Sequence, residues 1–289
     1  MQARRFPIQL MRGLSAIASV GAFAAPPALP GGFVGMAAAK AAEFDVPYVP
    51  TPEHVVRKML DMAAVGPSDF VIDLGSGDGR ILVAAARDRG ARGLGVDIDP
   101  KRVREAHAIA RLEGVSDRVS FRQQDLFSTS IRDATVVTLY LIPSVNLRLR
   151  PKLLTELRPG TRIVSHAFDL GDWEPDRMEE SEGATLYHWI VPAEVGGRWR
   201  LTTGAGEPME IQLDQKFQKV TGSGVGRDGR AVRITGVRLA GSRISFTADY
   251  GMGERLFVGE VDGARITPGP ITSLQEVQAE GDWVMERLS

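Results

Sequence analysis

The chain has 289 residues, with 35 lysines and arginines against 36 acids, a net charge of −1, and 43% hydrophobic and 25% charged residues. That balance describes a globular chain able to bury a real core and gives no reason to expect a nucleic-acid partner. Cysteine is absent, which excludes disulfide frameworks, thiolate metal sites, iron–sulfur clusters and thiol nucleophiles together.

The first 42 residues differ from the rest. Arg4, Arg5 and Arg12 stand without an acid, an apolar run of small residues follows, and Ala39-Lys40-Ala41 makes a cleavage-like exit before the first acid, Glu43. This layout predicts a signal peptide or membrane anchor over residues 1–42. Pro26, Pro27, Pro30, Gly31 and Gly32 interrupt the run before it reaches the roughly 20 residues of a spanning helix.

From residue 43 to 196 the pattern is that of a parallel-sheet α/β domain. "PEHVVRKMLDMAAV" puts Val55, Met59, Met62 and Ala63 on one helical stripe, with Thr51 as N-cap and Pro52 opening the helix. "FVIDL" reads as a buried strand, and "RILVAAARDRG" as a helix closed by Gly90. "GLGVDI" is a second strand, "PKRVREAHAIARLEGV" a helix with Val103, Ala106, Ile109 and Ala110 facing inward, and "RVSFRQQDLF" a third strand. "ATVVTLYLI", the helix "NLRLRPKLLTEL", "TRIVSHAF" and "TLYHWIV" complete the series, with His54, His107 and His188 falling at positions without evident partners. Beyond Gly196-Gly197 come short period-2 segments such as "MEIQLDQKF", "AVRITGVRL", "SRISFTADY", "RLFVGEV" and "WVMERL", which predict a small all-β domain over 197–289, a meander or partial barrel.

The chemistry concentrates in "VIDLGSGDGR". Gly75, Gly77 and Gly79, with Ser76 and Asp78 between them, occupy a strand-to-helix turn where the backbone can approach a ligand closely. Asp97 ends the next strand about 20 residues on, where a carboxylate accepts both ribose hydroxyls. An anionic pyrophosphate is a poor match for a seat crowded by Asp73 and Asp78. A nucleoside carrying an ammonium and a sulfonium is a good one, so the charge pattern favours S-adenosyl-L-methionine. Asp73 or the loop backbone would face its amino-acid end and Asp97, with Ile98 beside it, the ribose. Asp125 in "RQQDLF" would accept the adenine amino group while Leu126 packs on the ring. For Asp78 and Asp99 a simple turn or helix-cap role stands equally open.

"VIDLGSGDGR", "GVDIDP" and "QQDLF" resemble the first three motifs of the class I, seven-strand methyltransferases. That implies an α/β, Rossmann-like seven-strand sheet with helices on both faces. Over about residues 46–190, "VPYVPTPEHVV", "ATVVTLYLIPSVNLRLRPKLL" and "RPGTRIVSHAFDLGDW" resemble the protein-lysine methyltransferases that modify the mitochondrial ATP synthase c-subunit and the adenine nucleotide translocase, with their bacterial relatives. The resemblance implies an enzyme that N-methylates a protein lysine. "YVPT" is also similar to the Tyr-x-x-Thr loop of Dot1-type enzymes, which implies cofactor contacts by Tyr48 and Thr51.

For the acceptor, Tyr140 in "TLYLIPS" is the candidate to orient the nucleophile, as against a plain core aromatic. No Asn or Asp stands at that strand end, which argues against an adenine or glutamine amide acceptor. His166 on the same rim is a candidate base for an oxygen acceptor, with Asp169 and Asp172 near enough in sequence for a metal-assisted variant that nothing in the spacing requires. Alternatives are thus methylation of a small-molecule oxygen or nitrogen, or an exported binding protein without activity. Because the donor is a cytoplasmic metabolite, an uncleaved anchor with the domain on the cytoplasmic side is favoured over export. The Arg148, Arg150, Lys152 series reads as a solvated helix face, or as a surface for acidic protein or lipid headgroups.

Overall fold

The alternation of apolar runs and amphipathic stretches is realised as three strand–helix–strand crossovers. The computed structural model describes residues 48–204, 208–249, 253–270 and 282–288; the signal or anchor expected over 1–42 lies outside them. Helix α1 (Glu53–Met62) leads into β1 (Phe70–Leu74), α2 (Arg80–Arg89), β2 (Arg92–Asp97), α3 (Pro100–Leu112) and β3 (Val119–Gln123). Then come β4 (Val136–Leu139), α4 (Pro143–Glu156), β5 (Arg162–His166), β6 (Arg177–Ser181) and β7 (Ala184–Ile190). The sheet order is β3-β2-β1-β4-β5-β7-β6. Strands β1 to β5 run parallel, and β7 is antiparallel to both β5 and β6. The order reverses between β1 and β4, and a crevice opens at the carboxyl ends of strands at such a point.

Side chains alternate across the sheet, so each strand feeds two cores. Val71, Val136 and Val164 pack with α1, α2 and α3, whereas Ile72, Leu74, Val137, Leu139 and Ile163 pack with α4. Helix α2 is buried continuously from Ile81 to Ala86; its small alanines let it lie close on the sheet, and Gly90 at φ 70° ends it in the left-handed geometry glycine tolerates. Asp99 caps α3, accepting from the Lys101 N–H at 2.7 Å, with Pro100 in the first turn.

Three expectations need correction. Thr51 does not cap α1: Pro52 holds that position without a side-chain bond, and Thr51 is buried instead. Two of the histidines are not partnerless: His107 Nε2 lies 3.0 Å from the Phe121 carbonyl oxygen and His54 Nε2 3.4 Å from Glu182 Oε2. Finally, the sequence pattern marks six strands of this sheet and leaves β6, "RMEES", unmarked. It is an edge strand whose residues are exposed or half-buried, so no apolar alternation distinguishes it.

Strands β8 (Gly197–Thr203), β9 (Met209–Lys216), β10 (Lys219–Gly226), β11 (Ala231–Ala240), β12 (Arg243–Asp249), β13 (Glu254–Asp262), β14 (Arg265–Pro268) and β15 (Trp283–Arg287) form a closed barrel. Its interior holds Trp199, Leu201, Ile211, Leu213, Phe246, Phe257 and Met285. Closure through β8, β10 and β14, none of which stands out in the sequence, removes the open edges a partial barrel would carry. Among the described residues no helix is long and apolar enough to cross a membrane.

Candidate active site

The turn between β1 and α2 is built from positions that only glycine fills easily. Gly75, Gly77 and Gly79 have φ of 82°, 52° and 79°. A Cβ would stand 2.8 Å from Leu141 at Gly75, 2.7 Å from the Tyr48 ring at Gly77 and 2.6 Å from Phe121 at Gly79. Two backbone donors, from Gly75 and Ser76, both bond the Val96 carbonyl at 2.9 Å and pin the turn to the end of β2.

Asp73 lies beneath this turn, 2% exposed. Its Oδ1 accepts from the Thr138 hydroxyl at 2.7 Å, while Oδ2 is buried without a partner, as is Ser76 Oγ. Burial, with Asp97 and Asp78 adding repulsion, pushes its carboxyl up to about 7 against the pull of Thr138. A buried carboxylate oxygen with no donor is costly alone and becomes favourable once a cationic ligand arrives.

Asp97 is half-buried. Its Oδ2 accepts from the Gly77 N–H at 2.8 Å and Oδ1 from the Asp99 N–H at 2.9 Å. Each carboxylate oxygen has two lone pairs, so both retain capacity for a ligand hydroxyl. Beside it Ile98 is 53% exposed, an apolar surface next to the carboxylate.

Asp78 behaves differently from its expected place in the negative cradle. The Arg80 guanidinium grips it, with Nε at 2.9 Å and 3.1 Å and Nη2 at 2.6 Å. Burial alone would raise its carboxyl; Arg80 more than offsets that and holds it below the usual range. The negative bias of the seat therefore rests on Asp73 and Asp97.

Asp125 follows Gln124, whose N–H donates to the Asp97 carbonyl at 3.0 Å, so the ends of β2 and β3 are joined. Asp125 is exposed, and its Oδ1 accepts from the Phe127 N–H at 2.8 Å, which fixes a turn that half-buries Leu126 against the α4-side core. It borders the crevice rather than lining its buried part.

The segment before α1 crosses the same turn. The Tyr48 ring packs on Gly77 with the Arg102 guanidinium 3.8 Å from its centre, and burial followed by the Asp78 carboxylate raises its phenol pKa. Thr51 gives its carbonyl to Arg80 at 3.0 Å, and its Oγ1 is 3.5 Å from His166 Nδ1.

At the ends of β4 and β5, the Tyr140 and His166 rings lie in contact with centres 3.9 Å apart and planes tilted by 35°. His166 is 6% exposed, and burial lowers its pKa and so favours the neutral imidazole; Tyr140 is half-exposed above it. The metal-assisted option has no support in its own side chains. Asp172 is held by Arg150 and Lys216, and Asp169 Oδ1 accepts from the Gly171 N–H at 3.0 Å. Among the described residues no cluster of three His, Cys, Asp or Glu has metal-holding geometry.

Sequence reasoning missed Thr138, Leu141, Arg80 and Arg102 as parts of the site. Thr138 alone left a local sign, a hydroxyl inside the otherwise apolar "VVTL".

The residues present would suit S-adenosylmethionine: the unpartnered Asp73 oxygen would take a cation, Asp97 a ribose, and the bare turn would let both approach closely. Comparison with known proteins agrees. An ANTKMT methyltransferase domain model matches residues 73–177. A protein-lysine N-methyltransferase of Saccharolobus islandicus is 45% identical over 152 residues, 52% of this chain and 94% of that protein. The adenine nucleotide translocase lysine N-methyltransferase of Mus musculus is 38% identical over 130 residues, 45% of this chain and 56% of that protein. A crystal structure with S-adenosyl-L-homocysteine, described as an RNA methyltransferase from Salinibacter ruber, is 56% identical, covers 51% of this chain and 96% of that one, and superposes with a TM-score of 0.50. The chain belongs to the family of the protein-lysine N-methyltransferases, S-adenosylmethionine-dependent enzymes.

Proposed function

We propose that the chain methylates the side-chain amine of a protein lysine presented at the Tyr140–His166 rim. The observation that carries this is the close ring pair itself, a half-exposed phenol ring tilted 35° against a nearly sealed imidazole whose pKa burial lowers. The bound cofactor supplies a sulfonium methyl and leaves as a neutral thioether. The protein's part is to align the acceptor nitrogen and keep it unprotonated, which a desolvated aromatic wall favours. The Tyr140 face then holds the methylated ammonium product by cation–π attraction. His166 acts here as support for Tyr140: its Nδ1 is turned to Thr51, and burial makes it a weak base.

A second reading, RNA as acceptor, has one observation behind it, the description of the Salinibacter ruber relative. One experiment separates the two. Lysate from a deletion strain is labelled with radioactive methyl donor and recombinant protein, then divided between protease and nuclease. Label released by protease and eluting with methyl-lysine supports the proposal; nuclease-sensitive label contradicts it.

We further propose that residues 1–42 tether the enzyme with its catalytic domain on the cytoplasmic side, where the donor is made. The mass of the N-terminus in native protein tests this: retention supports a tether, and loss of about 40 residues marks signal-peptide processing.

A further inference from the structure

The barrel meets the α/β domain at the β11–β12 turn, where Gly241 lies against Gly160, and at the β9–β10 hairpin, which is unusual. β9 and β10 are joined by Phe217 and Gln218, with Lys216 and Lys219 paired across the turn. Tight two-residue turns with positive φ call for Gly or Asn, yet Phe217 sits at φ 56°. A bulky residue in that region is strained and persists only where surrounding contacts hold it.

Those contacts are in the loop between β5 and β6. The Phe217 ring stacks on Trp173 with centres 5.8 Å apart. Gln218 Oε1 accepts from Trp173 Nε1 at 2.9 Å, and Gln218 Nε2 donates to the Glu174 carbonyl at 2.7 Å. Trp173 is fully buried, so without Gln218 its indole N–H would be a buried donor left unmet.

Trp173 ends a loop that begins at His166. Ala167 has φ 66°, and the Phe168 carbonyl accepts from both Ser165 Oγ at 2.6 Å and Asn146 Nδ2 at 3.2 Å. Arg150 Nη1 donates to the Leu170 carbonyl at 2.8 Å, and Trp189 Nε1 to that of Trp173 at 2.8 Å. The loop is thus fixed at its start by β5 and α4 and at its end by β7, through Trp189, together with the barrel hairpin. The Saccharolobus islandicus relative, 94% of which aligns to 152 residues of this chain, is too short to hold both sheet and barrel. The brace is therefore an addition to the catalytic core.

We propose that Phe217 and Gln218 are positioning residues: acting through Trp173, they set the β5–β6 loop beside the Tyr140–His166 rim and so tune which acceptor is received. This rests on the rim being the acceptor site.

Phe217→Asn is the informative variant, because asparagine suits the turn while removing the ring, so the barrel's own folding is not penalised there. Gln218→Ala is the second, and Phe217→Tyr the conservative rescue. Expected results for Phe217→Asn and Gln218→Ala are an acceptor KM raised about tenfold, the scale of a small misplacement, with S-adenosylhomocysteine affinity by calorimetry unchanged. Hydrogen exchange in residues 167–173 should be faster, and Phe217→Tyr should restore both. In a Trp173→Phe background, which lacks the indole donor, Gln218→Ala should have little further effect. Unchanged acceptor KM and loop exchange in Phe217→Asn would overturn the proposal. So would cofactor affinity falling as much as acceptor affinity, the mark of general loosening. Should the wild-type enzyme label no lysine, the lysine reading fails by itself, and loop exchange alone still decides whether the barrel braces the loop.

Discussion

Asp73 shows how one buried acid ties stability to binding. Its folded pKa of about 7 lies above the ordinary carboxylate range it would have in the unfolded chain. Between those values the folded state holds more protons, so this group's contribution is intact at low pH and lost as pH rises through about 7. Cofactor-free protein is expected to melt at lower temperature as pH increases from about 5 to about 8 through this group, and Asp73→Asn to flatten that trend. Affinity for a cationic ligand should move the other way over the same range, since only the ionised form attracts it. At Gly79 the constraint is steric: with φ at 79°, an added Cβ would lie 2.6 Å from the Phe121 ring, which leaves no room for a methyl group. Gly79→Ala should cost about 2 kcal/mol or more in urea denaturation. Asp97 and the glycines were legible because strand ends and a bare turn are local patterns. The roles of Asp78 and Thr51 were not. An Arg80 that folds back on Asp78 and a Thr51 that meets His166 across 115 residues are decided by tertiary packing.

Elements were readable where burial made them so. β1 and β2 appear as apolar runs because both faces of a parallel strand are covered, and α3 is announced by Asp99-Pro100 before its first turn. Removing that cap, Asp99→Ala, should lower stability by about 1 kcal/mol in the same denaturation assay, with cofactor affinity less affected than by substitution at Asp97. Three of the strands that escaped notice lack a long apolar alternation, whereas β8, with Trp199 and Leu201 buried, does alternate. β6 is a polar edge, β14 has four residues, and β10 reads "KVTGSGVG", where glycines at 222, 224 and 226 erase the alternation. Those glycines have a reason in the fold: a Cβ at Gly222 would lie 2.8 Å from Ile234 on the neighbouring strand.

At the scale of the whole molecule, a sheet shared with a family of methyltransferases carries a closed barrel that packs on it through the Phe217–Trp173 stack and the Gly241 turn. The sheet was identifiable from three motifs in sequence. The closure of the barrel was not, since it depends on pairings such as β15 with β8 that no local pattern encodes. We propose that Asp73, Asp97 and the bare turn form the seat of S-adenosylmethionine. Titration calorimetry of S-adenosylhomocysteine into the full-length protein and its Asp97→Ala variant tests it most directly. Saturable binding that Asp97→Ala weakens by about 1–3 kcal/mol, the worth of charge-assisted hydrogen bonds to the ribose, is the predicted result. Equal affinity in the two proteins would contradict it.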